Sequence, residues 1–262
     1  IGLTGVVGRL AARLAPDVDA IDDPAAPRYL DPSALGEASV ALASASRETL
    51  RMGDALDAML REVIEVFGEN DKTRIARISR MDDTVDGLYE AIKRYLTEVS
   101  REALDGPESK RCTDIMSFVT NLEHVGDIID KNLLELASKK VKYQLRFSDQ
   151  GLAEITALHG RVADNLQLAM NVFVSGDRDL ARRLLSEKDH FRDLERQAAE
   201  SHHERLRHGQ RESIETSSLH LDVLRDLKRI NSHLTSVAYP ILEASGDLRR
   251  SRLRDRAAAR EA

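Results

Sequence analysis

Tryptophan is absent from this 262-residue chain, aromatic residues make up only 4% of it, and Cys112 is its single cysteine. With so few rings and a net charge of −6, the chain has no aromatic-studded basic surface, and nucleic-acid binding is excluded as its business. One cysteine excludes an internal disulfide. Set among apolar neighbours, Cys112 reads as a small buried hydrophobe in a reducing compartment. Glycine (14) and proline (6) are scarce and fall mostly outside the periodic segments, which argues against a turn-rich β-sandwich. No run of about 18 apolar residues occurs, so nothing in this sequence spans a bilayer. Also missing are a Gly-x-Ser-x-Gly turn, a phosphate-cradling Gly-rich loop followed by Lys and Ser or Thr, and a dinucleotide fingerprint; nothing argues for an enzyme.

What remains is 42% apolar and 32% charged residues, ordered by a helical period. One seam runs Leu42, Ala45, Thr49, Met52, Leu56, Met59, Val63, Val66 and ends near Gly68–Asp71. A second runs Ile75, Ile78, Asp82, Val85, Tyr89, Ile92, Leu96, Val99, up to Asp105-Gly-Pro107. The third carries Cys112, Ile115, Val119, Leu122, Gly126, Ile129, Leu133 and Leu136. After Tyr143–Ser148 the pattern returns: Ile155 to Phe173, then Leu180 to Leu206, then Val223 to Ile241 with Pro240 inside the last turns. Long helices with short connections pack antiparallel. The expected fold is therefore all-α, with six long antiparallel helices as two tandem three-helix bundles. Breaks are expected near 68–71, 105–108, 143–149, 175–178 and 208–212.

The chain opens at Ile1 and not at Met. Ile1–Leu14, apolar with Arg9 and Arg13, reads as a frayed helix end or an interfacial helix of a trimmed or longer protein. Pro16–Pro32 has no period and reads as a linker. The expected organisation is an apolar segment and linker (1–36), a first repeat (37–144), a second (145–246) and an unstructured charged tail (247–262).

Carboxylates inside an apolar seam need an explanation, because an unpaired buried charge costs several kcal/mol. Asp82 lies between Ile78 and Val85, with Asp86 four residues on, so both project from one helix face. Glu123 and Asp127 have the same spacing and flank Gly126, a helix-interior glycine that predicts close approach of a neighbour. Asp189 and Asp193 form a weaker third pair. Hard oxygen donors in such pairs suit a divalent or ferric cation; the bland alternative is ion pairing with Arg77, Arg80 or Lys131. Glu187-x-x-His190 and Glu200-x-x-His203 have di-iron spacing but share one helix, roughly 20 Å apart, and cannot meet at one metal. His202, His203 and His208 sit in a charged stretch and are expected to face solvent.

Leu122-Glu-His-Val-Gly-Asp-Ile128 resembles the Leu-Glu-Arg-Ile-Gly-Asp signature of PhoU domains, and Asp82-x-x-x-Asp86 is similar to that family's second-helix motif. Pro27-Arg-Tyr-Leu-Asp-Pro32, Arg47-Glu-Thr-Leu-Arg-Met52, the stretch Leu219–His233 and Ala238-Tyr-Pro-Ile-Leu242 resemble the C-terminal PhoU-like domain of bacterial sodium/phosphate cotransporters. The resemblance covers roughly 27–243. It implies a regulatory domain at the cytoplasmic face of the membrane, modulating phosphate uptake by binding and conformational coupling. Its partners would be the transmembrane portion or other phosphate-transport machinery, with homo-oligomers a further option. The alternatives are a free-standing PhoU-type adaptor acting on an importer and its sensor kinase, and a carboxylate-bundle metal protein. The second repeat departs from the signature: Lys228, Asn231 and Ser232 stand where Glu, Gly and Asp are expected, so its metal site is expected to be lost, with Lys228 a counterion for Asp189 or Asp193.

Overall fold

The computed structural model describes residues 23–69 and 71–248. The expected all-α architecture is what it holds: helices and their connections, with no strand among the described residues. Three long helices form the first half: α1 (Ala38–Gly68), α2 (Lys72–Val99), and a third that runs as α3 (Gly106–Asp127), a π-helical segment (Ile128–Leu133) and α4 (Leu134–Lys142). The second half follows the same order, with α5 (Asp149–Ser175), α6 (Arg178–Arg207), a single turn α7 (Arg211–Glu215) and α8 (Ser217–Leu234). A 3₁₀ turn (Thr235–Val237) then leads into α9 (Ala238–Ala244).

The breaks are made by local chemistry. Asp71 caps α2 by accepting from the amides of Thr73 and Arg74. Asp105 and Glu108 satisfy each other's backbone donors in a capping box at α3. Gly176 ends α5 in the left-handed region (φ 62°), and Asp177 caps α6 by accepting from Leu180. That pair reverses the chain in two residues, which only glycine permits without strain at the first. The expected single sixth helix is instead interrupted. Pro240 has no N–H for the carbonyl of Ser236 and its ring crowds that group, so the chain tightens into the 3₁₀ turn just before it.

All eight α1 seam positions are buried, as are those of the third helix. On α2, Ile75 and Tyr89 are only partly covered. The two halves share one core. Phe118 of α3 meets Phe173 of α5 with ring centroids 4.8 Å apart. His159 Nε2 of α5 donates to the carbonyl of Leu60 on α1 at 2.7 Å. Gly53 on α1 lies beneath Met170, leaving no room for a β-carbon.

The described part of the expected linker is not a free connection. The buried carboxylate of Glu48 accepts from the amides of Arg28 (2.9 Å) and Tyr29 (2.7 Å) and pairs with Arg51. Arg51 also donates to the carbonyls of Ala26 and Pro24, Tyr95 Oη donates to Asp31 O, and Arg47 lies over the Tyr29 ring. The segment is a strap across the first bundle. At the other end Asp247, assigned from sequence to a loose tail, is held by Arg178 and Arg182. Ile1–Leu14 and 249–262 lie outside the described residues. Glu48→Ala should cost about 2–3 kcal/mol by stranding charge-assisted bonds and should speed amide exchange at Arg28 and Tyr29. Unchanged exchange there would mean the strap is held by its other contacts.

Candidate functional site

The first half brings together the carboxylates that its sequence singled out. Asp82 and Asp86 project from α2 toward the third helix, where Glu123 and Asp127 sit one turn apart. Gly126 makes the approach possible: a β-carbon there would lie 2.7 Å from Asp82 Oδ1 and 3.2 Å from Val85. Asp82, Asp86 and Asp127 each offer an oxygen, all within 4.8 Å of one another, and Glu123, His124 and Asp127 form a second such group. Asp127 belongs to both.

The electrostatics are those of crowded acids. Asp82 is 5% exposed, and its Oδ1 is buried with no hydrogen-bond partner. Burial first, then the neighbouring Asp86, Asp130 and Asp127, push its pKa up to about 7, although Lys131 works in the opposite direction. Burial likewise raises Asp86 and Glu123. Positive charge offsets this only at the rim, where Lys131 pairs with Asp127; His124 Nδ1 lies 2.9 Å from Glu123 Oε2. Arg77 turns instead to Glu62, and Arg80 to the carbonyl of Ala76. An orphaned buried oxygen among hard oxygen donors is the donor set that suits a divalent or ferric cation. Sequence reasoning missed Asp130 and His124. Asp130 lies beside the seam position Ile129 and not on the seam, and His124 stands where the signature has Arg.

The other candidates do not converge. Asp189 and Asp193 are exposed and pair with Arg192 and Arg196 on their own helix. Lys228 is not their counterion; it donates to Glu195 Oε2 at 2.9 Å, because Glu195 is the α6 carboxylate turned toward α8. His203 and His208 are exposed, as expected. His202 is not: it is buried, bonded to Ser217 Oγ at 2.9 Å and stacked on His220 with centroids 4.7 Å apart. Beside them Arg205 makes two bonds to Glu154 (2.7 and 2.9 Å), and His220 Nε2 lies 3.1 Å from the same carboxylate. This buried network ties the start of α5 to α6 and α8.

The PhoU domain profile matches residues 49–133 and 155–241, one match over the three long helices of each half. This chain belongs to the PhoU family. A Salmonella typhimurium protein named "Putative inorganic phosphate export protein YjbB" is 42% identical over 239 residues, covering 91% of this chain and 44% of that protein. The chain thus spans less than half the length of that curated relative. A Thermotoga maritima protein named phosphate-specific transport system accessory protein PhoU homolog 1 is 25% identical over 187 residues, covering 70% of this chain and 78% of that one. The crystal structure of PhoU from Pseudomonas aeruginosa superposes with a TM-score of 0.71 at 17% identity, over 79% of this chain and 98% of the other, and shares the fold.

The two PhoU repeats differ most at the acidic motif. In the second repeat the place of Gly126 is taken by Asn231, whose buried Oδ1 accepts from Asn165 Nδ2 at 2.8 Å. Ser232, in the place of Asp127, donates back to the carbonyl of Lys228. A neutral amide pair therefore occupies the position that in the first repeat is given to close approach of a carboxylate. Among the described residues, the PhoU helices include none long and apolar enough to cross a membrane.

Proposed function

We propose that this chain is the regulatory PhoU domain of a membrane phosphate-transport protein of the sodium/phosphate cotransporter type. It acts at the cytoplasmic face, altering phosphate flux by binding and conformational coupling with no covalent step. The observation that carries the reading is the coverage: nine-tenths of this chain aligns with less than half of a relative named for phosphate export, leaving more than half of that relative for other work. The printed name speaks of export, whereas the sequence resemblance implied uptake, so the proposal is for control of flux in either direction. The acidic cluster supplies the binding element. A cation held by Asp82, Asp86 and Asp127 would supply the positive charge that Lys131 alone, at the rim, does not, and would draw α2 against the third helix.

A second reading, the free-standing adaptor, is favoured by the match to the Thermotoga PhoU homolog over 78% of its length. One experiment separates the two. In cells carrying the native gene with Asp82→Asn and Asp86→Asn, radiolabelled phosphate flux should change by roughly fivefold, the lower range of allosteric couplings. The native product should sediment with membranes. Unchanged flux at equal protein level would overturn the regulatory role, and a native product confined to the supernatant would replace the transporter domain with the adaptor.

A further inference from the structure

Beside the acidic cluster lies a cavity of about 310 Å³ with a different chemistry, set between the third helices of the two repeats. Its polar lining is His124, Asp127, Lys131 and Asn132 from α3 and the π segment, and Arg229 and His233 from α8, with Ile128 the one apolar member. Asp127 therefore serves both places. The donors are an ammonium, an amide and a guanidinium. Arg229 commits Nη1 to Asp226 at 2.9 Å, and the other N–H groups of its planar fork remain.

The acceptors are as telling. Asn121 donates its amide to the carbonyl of Ser117 (2.8 Å), which turns its Oδ1 toward His233 Nδ1 (2.9 Å). Nδ1 of His233 must then carry the proton, which leaves Nε2 as an acceptor in the neutral ring. Burial, helped by His124 and Arg229, lowers the pKa of His233 and keeps that ring neutral. The His124 and His233 rings stand 5.2 Å apart. Each wall brings a cationic donor and an acceptor, Lys131 beside Asp127 on one helix and Arg229 with His233 on the other, and such a set suits an anion that is itself part donor. A fully deprotonated oxyanion would meet Asp127 with nothing to offer it. Hydrogen phosphate has bare oxygens for Lys131, Arg229 and Asn132 and a P–OH for Asp127 or His233.

We propose that this cavity binds inorganic phosphate as hydrogen phosphate, and that phosphate and the cation of the acidic cluster bind with positive coupling. The coupling rests on the cation reading given above and runs through two residues. Lys131 is tied to Asp127. A positive charge among Asp82, Asp86 and Asp127 compensates Asp127, and the Lys131 ammonium is released to face the anion. Linkage then requires each ligand to tighten the other by the same factor. The cavity joins one helix from each repeat, so filling it changes how the halves bear on each other.

Calorimetric titration of the purified chain at pH 7.5 with inorganic phosphate, with and without Mn²⁺, tests this, together with melting curves in Mn²⁺ alone. Sulfate carries no proton, and a phosphomonoester such as glycerol phosphate loses its second proton near pH 6, so it is mostly bare at this pH. Phosphate should bind about tenfold tighter than either, and about tenfold tighter again with Mn²⁺. Arg229→Gln, at a half-exposed position, should weaken phosphate about tenfold while the Mn²⁺-induced rise in melting temperature persists; Lys131→Gln should remove the coupling. If Mn²⁺ stabilises the protein but phosphate does not bind, or sulfate or the ester binds equally, or Arg229→Gln binds phosphate as before, the phosphate site is overturned and the cation reading stands. If Mn²⁺ gives no rise, the cation reading falls and takes the coupling with it.

Discussion

Asp82→Asn should raise the melting temperature of the metal-free protein at pH 8 by roughly 5–10 °C. The carboxyl of Asp82 is pushed up to about 7 in the folded chain, chiefly by burial, against about 3.9 for an unfolded aspartate. Between those values the folded state holds a proton that the unfolded state releases. The contribution of Asp82 is thus intact below about pH 4, declines as pH rises to about 7, and is flat above. The full difference is on the order of 4 kcal/mol at most, and asparagine removes it because it cannot ionise. The stabilising effect of the substitution should vanish toward pH 4. In Mn²⁺ the order should reverse, since the wild type keeps a charged ligand where asparagine offers only a neutral amide oxygen, and so gains more by mass action. Parallel curves for the two proteins from pH 4 to 8 would show that Asp82 is not the crowded acid described here.

The second large effect is expected at Arg205. Its guanidinium is buried, donates twice to Glu154, and reaches Ser201 and Ser213. Burial works to raise Glu154, but bonds from His220, Arg205 and Ser201 outweigh it and hold its pKa at about 2. Arg205→Leu strands that carboxylate, so a loss of about 3–5 kcal/mol is expected, or a drop of roughly 10 °C. Glu154→Leu in the same chain should recover much of the loss, because no carboxylate is left stranded. The pH sign is opposite to that of Asp82: stability from Glu154 is present above its unfolded value and lost as pH falls from about 4.5 toward 2. Urea unfolding of the single and double variants measures both. A loss under about 1 kcal/mol, the range of exposed pairs, would mean that water screens the network.

These two sites also show what a sequence discloses. Asp82 was legible because a carboxylate at a seam position breaks the apolar period, and Gly126 because glycine inside a helix has a cost that closeness must offset. Glu154, Arg205, His202 and His220 look like any solvated face: polar residues on charged helices, whose burial depends on which neighbour arrives. The π segment was visible only in hindsight, in the doublets Ile128-Ile129 and Leu133-Leu134 spaced five apart. That is the spacing of the bond from the Leu134 amide to the carbonyl of Ile129. The strap looks like a linker in sequence because its hold on the bundle comes from residues far along the chain: Glu48, nineteen and twenty residues away, with Arg47, Arg51 and Tyr95.

The shared core has a consequence for the duplication. Each repeat is a match to the family profile, yet neither half closes its own interior. Cutting the chain at Tyr143–Ser148 would leave Phe118 without Phe173, the Leu60 carbonyl without His159, and Gly53 as a notch with no Met170 to fill it. The family profile repeats with each half, but the packed interior belongs to the pair. A disturbance in one half is then expected to reach the other through packing alone, without a dedicated relay, and the two halves to melt in one transition.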